Sequence, residues 1–194
     1  MAATFNNAGS LHAGRDINQV AGNMGASDSG DGAETSTPAR VFISYRRDDA
    51  AREAGRLYDS LTERLGRHAV FVAAEEIQPG EEFGAVTRER IVASDVMLVL
   101  IGRRWANATD ATGRFRLNSP DDWVRREIET ALHARVPLIP VLVDGAPIPV
   151  RERLPGSIRR LADLHAFTIG EHWHGDVDRL DAAIRRQAGR GTGG

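Results

Sequence analysis

The stretch Asp95-Val-Met-Leu-Val-Leu-Ile101 limits the fold more than any other part of this chain, because its six residues after the aspartate are all apolar and show no alternation with polar ones. A strand with one face in water alternates with period two. An unbroken apolar run is covered on both faces, the situation of a central strand in a parallel sheet flanked by helices. With 0 cysteines in 194 residues, that sheet must hold by packing alone. A domain of roughly 150 residues buries about 70% of its unfolded surface and needs no staples.

The neighbouring segments supply the rest of such a sheet. Val41-Phe-Ile-Ser-Tyr45 reads as a first strand, and Asp48 and Asp49 then give a helix-start signal. Ala54, Leu57, Tyr58, Leu61 and Leu65 follow at helical spacing up to Gly66. Ala69 to Val72 reads as a second strand, followed by the loop AAEEIQPGEE and a helix from about Glu82 to Ala93. After the central strand a polar loop, Arg103 to Pro120, leads to a helix over Asp121 to Ala134 and a strand over Leu138 to Val143. A short helix near Ser157 to Leu161, a strand over Leu164 to Thr168 and a last helix carrying Val177, Leu180 and Ile184 complete the pattern. Five strands alternating with helices predict an α/β fold with a parallel sheet, since each right-handed return needs a helix. The expected order is 2-1-3-4-5, a flavodoxin-like arrangement. Residues 26–39, which include the small acidic stretch ASDSGDGAETSTP, read as a flexible linker, and residues 189–194 as a disordered tail.

Composition removes several kinds of chemistry. The absence of cysteine excludes thiol nucleophiles and cysteine-based zinc sites. All 25 basic residues are arginine, so a Walker-type phosphate loop, a Schiff-base lysine and a Ser–Lys hydrolase are excluded too. A formal charge of -2 offers no general attraction to nucleic acid or an acidic membrane. No apolar run approaches the ~20 residues of a membrane span, and the first residues lack the order of a secretory signal, so the expectation is a cytoplasmic protein. The turn after the first strand, SYRRDDAAREAG, lacks the glycine-rich dinucleotide fingerprint. In Glu171-His-Trp-His-Gly-Asp176 the two histidines have no clear third ligand, and the reading there is no metal but a polar loop with a packing Trp173.

Four segments in order, VFISYRRDD, FVAAEEIQPGEEF, DVMLVLIGRRW and DDWVRREIETAL, resemble a TIR (Toll/interleukin-1 receptor) domain of the bacterial kind. The resemblance covers residues 40–188 and implies homotypic assembly and, in the enzymatic branch, hydrolysis of NAD+ as substrate with no cofactor. It implies that Glu127, four residues after Trp123, is the catalytic glutamate. Helical spacing sets both on one stripe, beside a buried face of Val124, Ile128, Ala131 and Leu132, so Glu127 falls on the border between core and cleft. The chemistry suits a lone carboxylate. Nicotinamide leaves from NAD+ without protonation, and what remains is to stabilise oxocarbenium-like charge on the ribose. The alternative is a surface glutamate paired with Arg125 or Arg126.

The resemblance further sets Tyr45, Arg46 and Arg47 at the NAD+ cleft, with arginine forks for the pyrophosphate. The alternative for the arginines is pairing with Asp48 or Asp49. It gives Phe83 a stacking role on the nucleotide, against that of a half-buried core residue, and Ser44 a hydrogen bond to the ribose. Ile77, Pro79 and Gly80 belong to a loop that meets a neighbouring subunit in the family. Where relatives carry aspartate after the second strand this chain has Ala73. Rival readings are a non-catalytic adaptor acting by assembly, and a cyclase using the same glutamate.

Residues 1–25 are rich in Asn and Gly around Ile17-Asn18-Gln19-Val20 and resemble the RHIM-like amyloid signalling motifs. Asn and Gln ladders with a short β-branched core suit stacking of identical strands. The implied arrangement is a nucleating tag tethered to an effector with a cell-death or antiphage role, and an upstream partner carrying a matching motif. The alternative is a plain tail.

Overall fold

A computed structural model describes residues 37–73 and 83–191. The putting of a tag at 1–25, most of the linker and the loop residues Ile77, Pro79 and Gly80 lies outside these. The chain forms β1 (Val41–Ser44), α1 (Arg47–Leu65), β2 (Val70–Val72), α2 (Phe83–Val92), β3 (Val96–Ile101), α3 (Trp123–His133), β4 (Leu138–Leu142), β5 (Phe167–Thr168) and α4 (Trp173–Gly191). The sheet has the expected order, β2-β1-β3-β4-β5, with every pairing parallel. The apolar run of β3 lies between β1 and β4 and is buried along its whole length. Helix α1 packs against α4, and α2 against α3. No helix among the described residues is long and apolar enough to cross a membrane.

The helical periods land where burial requires. Ala54, Leu57, Leu61 and Leu65 of α1 and Val177, Leu180 and Ile184 of α4 are buried, whereas Tyr58 and Leu132 only border the core. Gly66 ends α1 at φ 91°, a left-handed value that L side chains rarely adopt.

Several boundaries differ from the sequence reading, each for a local reason. Helix α1 begins at Arg47 with no side-chain cap, so Asp48 and Asp49 lie in its first turn. Asp49 instead accepts from the backbone N–H groups of Gly102 (3.0 Å) and Arg104 (2.8 Å), tying α1 to the end of β3. Helix α3 begins at Trp123, two residues late, because extended Asp122 caps it by accepting from the N–H of Arg125 at 3.0 Å. The short helix expected near Ser157 is a longer 3₁₀ segment, Gly156–Asp163, which leaves β5 only two residues on the sheet edge. Ala39, expected in the linker, is buried in the core. Helix α4 runs to Gly191, so residues 189–191 are helical and not part of a disordered tail.

Candidate functional site

In the order β2-β1-β3 the connections leaving β1 and β3 run to opposite edges of the sheet, and open α/β sheets bind ligands beyond the carboxyl ends of strands at such a point. Ser44 closes β1 there and is fully buried, followed by buried Tyr45 and Arg46. From the first two turns of α3, Glu127 reaches back to this strand end. Its Oε2 accepts a hydrogen bond from the Ser44 hydroxyl at 2.6 Å.

Glu127 is only 4% exposed, and removal from water pushes its carboxyl up to about 7. The Ser44 hydrogen bond opposes that rise, the Asp122 charge adds to it and the Arg46 charge opposes it. A glutamate poised near neutrality, packed against a strand end, is an unusual group for a helix whose neighbouring positions are ordinary core. Beside it lies a cleft of about 410 Å³ between α2 and α3, lined by Gly84, Ala85, Thr87, Arg88 and Ile91 on one side and Trp123, Arg126, Glu127 and Thr130 on the other. Trp123 is 42% exposed on the first turn of α3, and the Arg126 guanidinium sits 5.2 Å from the centre of its ring.

Arg46 is the main departure from the sequence reading. Its guanidinium is not offered to a ligand at the surface. It is 2% exposed and holds Asp122 through two hydrogen bonds, Nη1 to Oδ2 at 2.9 Å and Nη2 to Oδ1 at 3.2 Å. The partner is neither Asp48 nor Asp49. Asp122 thereby serves twice, as cap of α3 and as counter-charge to Arg46, and Arg116 approaches it from outside at 3.6 Å. The Arg46 Nε is buried with no hydrogen-bond partner.

Of the other expected site residues, Ser44 donates its hydroxyl to Glu127. Arg47 is exposed at the start of α1, and neither it nor Tyr45 lines the cleft. Phe83 is the first residue of α2, directly before the Gly84 and Ala85 of the cleft wall. The sequence reading missed Asp122, Arg88 and Arg126. Asp122 carried a signal, an N-cap residue directly before an apolar-periodic helix; the arginines carried none, because exposed arginine is abundant in this chain.

Trp173, as expected, packs. It is 9% exposed, donates from Nε1 to the Ser60 hydroxyl at 3.2 Å and lies under the Arg56 guanidinium at 3.9 Å. Asp176 accepts from the Gly170 N–H at 2.7 Å. Among the described residues no three His, Asp or Glu side chains converge in a way that would hold a metal.

Three known proteins resemble this chain in sequence or structure. The chain is 30% identical over 148 residues to the NAD(+) hydrolase sarm1 of Drosophila melanogaster, a match that takes in 75% of this chain and 10% of the relative, so it spans about a tenth of that protein's length. Among solved structures it resembles the TIR domains of the activated Roq1 resistosome directly recognizing the pathogen effector XopQ, with a TM-score of 0.54 and 18% identity over 76% of this chain and 98% of that one. A weaker likeness, TM-score 0.43 at 16% identity over 74% of this chain and 98% of that one, is to the CMP N-glycosidase BcmB of Clostridium botulinum. Residues 41–180 match the TIR domain family, and the chain belongs to it.

Proposed function

We propose that this TIR domain cleaves the nicotinamide–ribose bond of NAD+ when assembled, with Glu127 as the catalytic residue. The observation that carries the reading is a buried carboxyl held by Ser44 at 2.6 Å on the wall of a cleft beside exposed Trp123. The curated relative, named an NAD(+) hydrolase, supports it. In this reading the Glu127 carboxylate lies beside the ribose and stabilises positive charge at its anomeric carbon as the bond to nicotinamide breaks. The bonding electrons leave with neutral nicotinamide, and water then adds to the ribosyl cation and releases a proton, giving ADP-ribose. The cationic nicotinamide ring favours the ionised carboxyl, offsetting the burial that favours the neutral one. Trp123 offers a flat face for stacking at the mouth of the cleft.

At the level of the cell the proposal is a bacterial death or antiphage effector, nucleated through residues 1–25 and an upstream partner with a matching motif. The loop with Ile77, Pro79 and Gly80 meets a neighbouring copy. One observation favours the rival adaptor: Glu127 is already satisfied by Ser44, as a structural core residue would be. Chromatography of a concentrated protein–NAD+ incubation decides between them. Nicotinamide release that disappears in Glu127→Gln is the expected result, and the sugar product separates hydrolysis from cyclisation. No nicotinamide from assembled protein would leave the adaptor.

A further inference from the structure

The cleft beside Glu127 does not end there. A second cavity of about 490 Å³ continues along α2 and α3 past exposed Val92 to His133, and shares Arg88, Arg126 and Thr130 with the first. The two arginines therefore face one groove from opposite helices, at the junction of its two halves. Neither guanidinium has a carboxylate partner among the described residues, unlike Arg125 on the same helix as Arg126, which is held by Glu129. Two unneutralised planar cations on opposite walls match a dianion lying between them, and arginine forks bind phosphate oxygens by paired hydrogen bonds. The order of lining residues along the groove is also informative. The carboxyl comes first, the arginines next, and beyond them a wall of Val92, Ala134 and the His133 ring, which suits a base; Glu129 also lines that half, its carboxylate held by Arg125 at 2.7 Å and by the Ser157 hydroxyl.

We propose that Arg88 and Arg126 form the diphosphate subsite of this groove, so that a dinucleotide lies along it with its reacting ribose at Glu127 and its second nucleoside toward His133. This rests on the reading of Glu127 as the reacting end, and it names the feature that selects a dinucleotide over a nucleoside. Arg126 also contacts Trp123, so its replacement disturbs the stacking face. Arg88 has no such second role and is the cleaner probe.

The test uses the full chain with two readouts. In turnover, Arg88→Ala raises the KM for NAD+ about tenfold or more while kcat stays within about twofold, and Arg88→Lys falls between; an unchanged KM overturns the proposal. In binding, measured by calorimetry in the Glu127→Gln background, ADP-ribose loses about tenfold or more in affinity in Arg88→Ala, while adenosine binds the two proteins alike. Equal ADP-ribose affinities, or an equal loss for adenosine, overturn it. The two readings fail separately. Wild-type protein that releases no nicotinamide yet binds ADP-ribose through Arg88 removes the hydrolase reading and keeps the subsite, whereas Glu127-dependent turnover with an indifferent Arg88 does the reverse.

Discussion

Glu127 carries opposite consequences for stability and for chemistry. Its carboxyl is raised to about 7 in the folded protein, chiefly by burial, against about 4.3 in an unfolded chain. A group raised in this way contributes its stability fully below the unfolded value, and that contribution is lost as pH rises through the folded one. Glu127→Gln removes the ionisation and keeps the Ser44 hydrogen bond. The variant is therefore expected to match the wild type near pH 4 and to exceed it above pH 8, by on the order of 3 kcal/mol. Position on a helical wheel alone would leave the melting temperature unchanged; burial changes that expectation. Melting curves across pH 4 to 9 check it, and parallel curves would mean that Glu127 is not desolvated. If the proposed reaction needs the carboxylate, kcat/KM for NAD+ in the wild type is expected to rise with pH through about 7, and kcat through a lower pH because bound NAD+ favours the ionised form.

The first turn of α3 depends on a contact made 76 residues away in sequence. The Arg46–Asp122 pair is buried on both sides, and removing one partner strands the other charge. Arg46→Ala is thus expected to lower stability by about 3 to 5 kcal/mol, far more than loss of a surface ion pair. Arg46→Met with Asp122→Ser, which keeps a cap on α3, is expected to recover part of it. Denaturant titration of the single and double variants checks this, and a silent Arg46→Ala would show the side chain to be free at the surface. A second tie joins α1 to β3. A Cβ on Gly102 would lie 2.6 Å from the Asp49 Oδ2 that accepts the backbone N–H of Gly102 itself. Gly102→Ala is expected to cost about 1 to 3 kcal/mol, and clearly less in an Asp49→Ala background, which removes the three atoms nearest the new methyl.

For the whole molecule the proposal joins a TIR domain to a segment that gathers copies. In that proposal a tag that stacks would raise the local concentration of the domains tethered to it toward the millimolar range typical of short flexible linkers. NAD+ loss is then expected to climb more than linearly with protein concentration. Deleting residues 1–25, or placing proline or charge at Ile17, Gln19 and Val20, shifts that curve to higher concentration, since proline removes a ladder donor and stacked like charges repel. Thioflavin fluorescence and electron microscopy accompany the assay. Superimposable curves without fibres would reduce the segment to a plain tail.

What the sequence determined by itself is what short-range pattern encodes. The unalternating run of β3 required a sheet covered on both faces, and helical spacing named the buried faces of α1 and α4. Strand–helix alternation then left few topologies, and the observed order is the expected one. Element ends were less legible, because a cap such as Asp122 or a 3₁₀ segment such as Gly156–Asp163 is set by individual hydrogen bonds and not by periodicity. Only the tertiary structure decided who meets whom. Ser44 and Glu127 are 83 residues apart, and Asp49 reaches Gly102 across 53. Nothing local distinguishes Arg46, buried on Asp122, from the adjacent Arg47, which is exposed. The physical reason is that a charge's partner and its desolvation are properties of the packed assembly, and both arise only when separate helices and strands close around the same point.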